Sequence, residues 1–199
     1  EFSQKPKFRN DDVSWDTPLE DFKNFCSIFK KYNLIQLHGI TLRGCTSCRY
    51  KYNSKPVQYP ETEDIACLTN SDIQKLSHNF RIEEKEDLIR FLNEGPDEIA
   101  LHGLYHTDYS KMTAEEQRQD IQEALKILKQ LFPKKYVEYF IPPFNKTNKD
   151  TSKVCAEAGL KVLANVGIHL EAQLNNLVIK PKTWYRYHHH RFYSESNFH

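Results

Sequence analysis

Apolar residues recur along this chain with two different periods, and the switching between them predicts an α/β fold. Leu19, Phe22, Phe25, Cys26 and Phe29 fall three or four apart, so residues 17–32 read as an amphipathic helix, with Thr17 as N-cap and Pro18 in the first turn. Before it, Lys7-Phe8-Arg9 reads as a strand running into the polar turn Asn10-Asp11-Asp12, and after it Leu34 to His38 reads as the next strand. Helices follow at 71–77 and 83–94, the second stopped by Gly95-Pro96. Glu98 to Leu101 is a short strand. A long helix then runs from Thr113, where Glu116 completes a capping box, to about Phe132, with Ile121, Leu125, Leu128 and Phe132 as its buried stripe. Val137 to Ile141 and Lys161 to Ala164 read as strands around a helix at 150–158 closed by Gly159, and Thr183 to His188 as a last strand with alternating aromatics. Strands alternating with helices imply parallel pairing.

Residues 43–70 break this rhythm. They are polar and aromatic, contain Pro56 and Pro60, and hold no period, as expected of a functional loop or a lid. The 199 residues suit one domain, 1–199, with that loop as an insertion.

Composition narrows the picture by exclusion. With 39% hydrophobic and 28% charged residues the chain is expected to be globular, and no apolar run nears the roughly 18–20 residues of a membrane span. The net charge is +1, with the two signs interspersed, so no basic face marks nucleic acid as a partner. Five scattered cysteines do not form a disulfide framework, and no secretory pattern opens the chain, so a reducing, cytoplasmic setting is the expectation. Cys26 falls on a helix stripe and is expected to be a buried small hydrophobe. Cys45-Thr-Ser-Cys48 with Cys67 read as loop cysteines, ahead of a structural zinc knuckle or a redox pair. Nothing here indicates the oligomeric state.

The chemistry lies in where polar residues fall. Asp11-Asp12, His38, His102, Pro142-Pro143-Phe144 and His188 each follow the carboxyl end of an expected strand, the edge of a parallel barrel where active sites are built. His102-Gly-Leu-Tyr-His106 places two imidazoles four residues apart, on one side of a helical turn. Two histidines with one carboxylate form a metal site that keeps open positions, and the Asp11-Asp12 pair supplies the carboxylate. Its neighbour then faces a water acidified by the ion and can take the proton as general base.

At this point the chain resembles the polysaccharide deacetylase family, the NodB homology domain of the carbohydrate esterases. The resemblance rests on Arg9-Asn10-Asp11-Asp12, on His102 to His106, on Phe140-Ile141-Pro142-Pro143-Phe144-Asn145 and on a histidine in the last strand, in matching order over about residues 7–192. It implies a distorted (β/α) barrel of about seven parallel strands. It implies Asp11 as general base, and Asp12, His102 and His106 as ligands of one divalent ion. Zn²⁺ suits those ligands first, and Fe²⁺, Co²⁺ or Ni²⁺ fit the same set. It further implies the Phe144 amide as an oxyanion donor and His188, ahead of His189 and His190, as general acid. The implied activity removes an acetyl group from an N-acetylated sugar or glycan, with an acetate ester less favoured. Rival readings are hydrolysis of a non-glycan amide or cyclic imide, a metal-binding carbohydrate module without turnover, and an interaction protein organised by zinc on Cys45, Cys48 and Cys67.

Three positions depart from the family's pattern. Its arginine two residues before the second proline is Ile141, which leaves Arg9 or an arginine of the tail to pair with Asp11. Its glycine is Asn145, and only Asn165 stands where an aspartate would orient the late histidine.

Overall fold

A computed structural model of the chain describes residues 7–44, 69–164 and 184–188. Among these residues six strands form one parallel sheet: β1 (Lys7–Val13), β2 (Gln36–Ile40), β3 (Glu98–Leu101), β4 (Tyr139–Phe140), β5 (Lys161–Val162) and β6 (Trp184–His188). Their spatial order is β5-β4-β3-β2-β1-β6, so β1 to β5 follow each other across the sheet and β6 returns beside β1. Among the described residues β5 and β6 are the two edges. The α/β class and the parallel pairing expected from the sequence are therefore present.

Among the described residues five α-helices connect the strands: α1 (Leu19–Lys31), α2 (Asn70–Ser77), α3 (Glu86–Glu94), α4 (Ala114–Leu131) and α5 (Thr151–Glu157). The Thr113–Glu116 capping box forms at the start of α4 as expected, and Thr69 with Asp72 makes a second one on α2. The entry to α1 differs from expectation. Pro18 is the N-cap, while the Thr17 hydroxyl accepts from the Ser14 amide at 2.9 Å, so it closes the preceding turn and not the helix. Strands β4 and β5 are also shorter than their apolar runs. The ladder still continues past them, with the amides of Ile141 and Leu163 donating to Leu101 and Phe140 oxygens, until Pro142 removes the next donor.

Alternation along the strands gives the sheet two apolar faces. The larger core packs Phe22, Phe25 and Cys26 of α1, Leu88 and Leu92 of α3, and Ile121, Ala124 and Leu128 of α4 against Ile40, Ile99, Leu101, Phe140 and Val162. Leu37, Ala100, Tyr139, Ile141 and Leu163 form a separate cluster on the other face. Gly39 belongs to this second face, where a Cβ would lie 3.2 Å from Ile141 Cδ1 and 3.4 Å from His102 Cβ. The candidate site lies at the carboxyl ends of β1 and β3.

Candidate active site

The first strand does not end before the acidic pair. It runs on to Val13 through a bulge: Asn10 pairs with His38 and Val13 with Ile40, so Asp11 and Asp12 together oppose Gly39. A two-against-one bulge re-aims side chains, and here it turns two neighbouring carboxylates to different tasks. Asp11 stays on the strand's alternation with Arg9. Asp12 adopts φ 67°, a left-handed conformation costly for a residue with a Cβ, and reaches the end of β3.

There it meets both histidines. Asp12 Oδ1 lies 3.0 Å from His102 Nε2 and 3.0 Å from His106 Nε2. His102 Nδ1 lies 2.7 Å from the Ile141 carbonyl oxygen, which only accepts, so Nδ1 carries the hydrogen. In the neutral ring the Nε2 lone pair then faces a carboxylate oxygen. Two acceptors at that distance are stabilised by a cation between them.

The donor set passes the test for a divalent ion. The three ligand atoms lie within 4.8 Å of one another and their residues are largely buried. A tetrahedral ion with bonds of ~2.0–2.1 Å sets its donors roughly 3.3 Å apart, close to the two 3.0 Å spacings from Asp12 Oδ1.

The histidine pair is not on a helical turn, contrary to the sequence expectation. Residues 102–108 form an irregular loop, and Gly103 at φ +92° makes the reversal. A Cβ on Gly103 would stand 2.4 Å from the Tyr105 carbonyl oxygen. Gly103→Ala is therefore expected to cost about 1–3 kcal/mol in backbone strain alone and to weaken metal binding. Urea denaturation and metal titration of the variant check both.

Asp120 of α4 braces this loop from behind. Its Oδ1 accepts from the Leu104 amide at 3.0 Å and from the Tyr109 hydroxyl. Burial pushes the Asp120 carboxyl up to about 6, against those hydrogen bonds, and pushes the Tyr109 phenol well above its usual value. Sequence reading missed this brace, because a lone acid on a helix gives no signal of the amide it will meet.

Asp11 is fully buried and paired with Arg9, whose Nη2 lies 2.7 Å from Asp11 Oδ2. Of the two partners left open by the sequence, Arg9 makes this contact. The Pro142-Pro143 turn places Phe144 at φ 57° and Asn145 at φ 56°, with the Phe144 ring 4.6 Å from that of His106. His188 stands opposite Asp11 in the β1–β6 register, which brings the two backbones side by side. His189, His190, Asn165, Cys45, Cys48 and Cys67 lie outside the described residues.

His38 departs from its expected strand-end role. It sits within β2, packed 5.1 Å from the Phe22 ring, with Nδ1 bonded to Asn10 and Nε2 to Asp97. Asp97 and Cys26 complete a second group with ligand-like spacing. Burial, with the Asp97 charge, pushes the Cys26 thiol up to about 12. A protonated thiol beside a histidine bonded at both nitrogens is core structure, and Cys26 is buried as expected. A cavity of about 230 Å³ near Asp97, Lys135 and Tyr139 opens at the amino ends of the strands, away from the histidines.

With this geometry established, comparison places the chain among known proteins. Residues 68–163 match the polysaccharide deacetylase family, a stretch that includes His102, His106 and the proline turn. No curated protein sequence matches. Among solved structures, a CE4 family pseudoenzyme from Bacillus anthracis superposes with a TM-score of 0.54 at 12% identity, covering 80% of this chain and 43% of that one. A family 4 acetyl xylan esterase from Clostridium thermocellum, in complex with a cobalt ion, gives 0.51 at 12% identity, covering 80% and 57%. A peptidoglycan N-acetylglucosamine deacetylase in complex with an N-hydroxybenzamide gives 0.53 at 14%, covering 79% and 55%. The chain thus spans about half the length of these structures, and at such identities they show a shared fold. The resemblance drawn from the motifs holds as a similarity: residues 68–163 match the polysaccharide deacetylase family, and about 80% of the chain shares the fold of CE4 structures.

Proposed function

We propose that the chain is a metal-dependent hydrolase that removes an acetyl group from an N-acetylated sugar or glycan. One observation carries this reading: a single carboxylate oxygen, Asp12 Oδ1, held at 3.0 Å from Nε2 of both His102 and His106 at the end of a parallel sheet. The family match and the cobalt complex of a structural neighbour support it. A divalent ion on these residues, Zn²⁺ ahead of Fe²⁺, Co²⁺ or Ni²⁺, supplies Lewis acidity toward a carbonyl and acidifies water.

The remaining work belongs to the chain. Asp11 takes the proton of the attacking water as general base. The Phe144 amide, in a turn that packs against His106, donates to the oxyanion. His188, whose backbone pairs with that of Asp11, returns a proton to the leaving nitrogen. The reading includes the distorted barrel of about seven strands, supported by the six parallel strands and their second apolar face. It also includes a cytoplasmic setting. Among the described residues no helix is long and apolar enough to cross a membrane.

Acetate release tests the proposal directly. Purified protein loaded with Zn²⁺ or Co²⁺ is expected to liberate acetate from chitooligosaccharides or other N-acetyl sugars, faster than from O-acetylated xylan. No release from any acetylated sugar, with ring opening of a cyclic imide instead, would transfer the site to the non-glycan reading. No turnover of either class would leave a binding module.

A further inference from the structure

We infer that Arg9 is a positioning residue, which fixes the Asp11 carboxylate by clamping it to the proline turn and the end of β5. The inference rests on Asp11 being the base of the proposed reaction, and it takes Arg9 beyond the pairing already described, to the orientation of that carboxylate.

The guanidinium is buried with only 1% of the residue exposed, and the Asp11 residue is 0% exposed. A charge is kept in such a place only when its partners are in hydrogen-bonding reach. Arg9 has three from three segments. Nη2 donates to Asp11 Oδ2 at 2.7 Å, a short charge-assisted bond. The same nitrogen reaches Asn145 Oδ1 at 3.2 Å, and Nη1 donates to the Leu163 carbonyl oxygen at 2.9 Å.

Because the guanidinium is planar, anchoring both terminal nitrogens fixes the direction of the whole fork. Holding Asp11 Oδ2 then sets the rotation of the carboxylate and the direction of Oδ1. The clamp also accounts for Asn145. Asparagine is one of the few side chains that tolerates the left-handed conformation found at this position, φ 56°, and it contributes the oxygen that a glycine would lack. Arg9 and Asp11 lie two apart on one strand, and so share a face.

The test compares Arg9→Met and Arg9→Lys with wild type in metal-loaded protein. Misaiming a base by about 1 Å costs on the order of 100-fold in rate. Arg9→Met is expected to lose about that factor in kcat, with KM and metal content little changed, and Arg9→Lys to fall between. In an Asp11→Asn background, Arg9→Lys is expected to leave the residual rate unaltered, because both changes act through one group. Wild-type kcat in Arg9→Lys, or an equal loss in both backgrounds, would overturn the proposal. If Arg9→Met does not fold, the Lys variant and Asn145→Ala decide in its place. A second readout needs no turnover: the Arg9 Nη protons are expected to exchange slowly by NMR and to lose protection in Asp11→Ala. Fast exchange in wild type would overturn the clamp. Absence of acetate release with slow exchange would instead sink the deacetylase reading and leave the clamp standing.

Discussion

Asp11→Asn is expected to stop acetate release while the protein keeps its metal. The substitution preserves shape and leaves an amide oxygen to accept from Arg9 Nη2, but an amide cannot take a proton at neutral pH. General-base catalysis contributes about 10²–10⁴-fold, and that is the expected loss in kcat. The proposed ligands Asp12, His102 and His106 are untouched, so metal stoichiometry should match wild type. Stability should also fall, because the buried Arg9 charge loses its counter-ion. Deleting one partner of a buried pair costs about 3–5 kcal/mol, and the retained hydrogen bond keeps the loss below that range. Acetate assays, metal analysis and urea denaturation on one preparation read all three quantities. Unchanged turnover would remove Asp11 from the role of base.

Asp12→Gly separates function from stability in the opposite sense. Removing one of three protein ligands is expected to abolish metal binding at micromolar ion. Activity should fall by more than the roughly 10–100-fold that changes in the surrounding shell of a metal site cost. Yet Asp12 stands at φ 67°, where a side chain costs about 1–3 kcal/mol and glycine pays no such strain. The change also removes a carboxylate oxygen that faces His102 Nε2 at 3.0 Å. The metal-free variant is therefore expected to be at least as stable as metal-free wild type. A large loss of stability without metal would show that Asp12 is a structural group.

How much of this was legible in the chain depends on the range of each signal. The periods of α1 and α4 were readable because a helix buries one stripe, and Phe22, Phe25, Cys26, Ile121 and Leu128 are buried as those stripes require. The three candidate ligands were readable as residue types at strand ends, though not the path that brings them together. The spacing of His102 and His106 suggested a helical turn, whereas Gly103 makes an irregular reversal; a glycine marks a possible positive φ without saying that one is used. The bulge at Asp11-Asp12 was invisible because it depends on register with β2, a long-range property. His38 looked like another strand-end residue until its strand was seen to continue to Ile40, which turns the ring toward Phe22. Arg9 could have been preferred over a tail arginine from strand alternation alone. Its bonds to Asn145 and Leu163, 136 and 154 residues away, could not have been foreseen.

The central claim is that Asp12, His102 and His106 hold a divalent ion, and metal analysis of the purified protein tests it most directly. Wild type and the double variant His102→Ala/His106→Ala are purified alike, exposed to equal Zn²⁺ and assayed for bound metal, with X-ray absorption on the wild type. The expected result is one ion per wild-type chain in a nitrogen and oxygen shell without sulfur, and none in the double variant. An ion retained by the double variant, or a sulfur-rich shell, would contradict the account and move the metal to Cys45, Cys48 and Cys67.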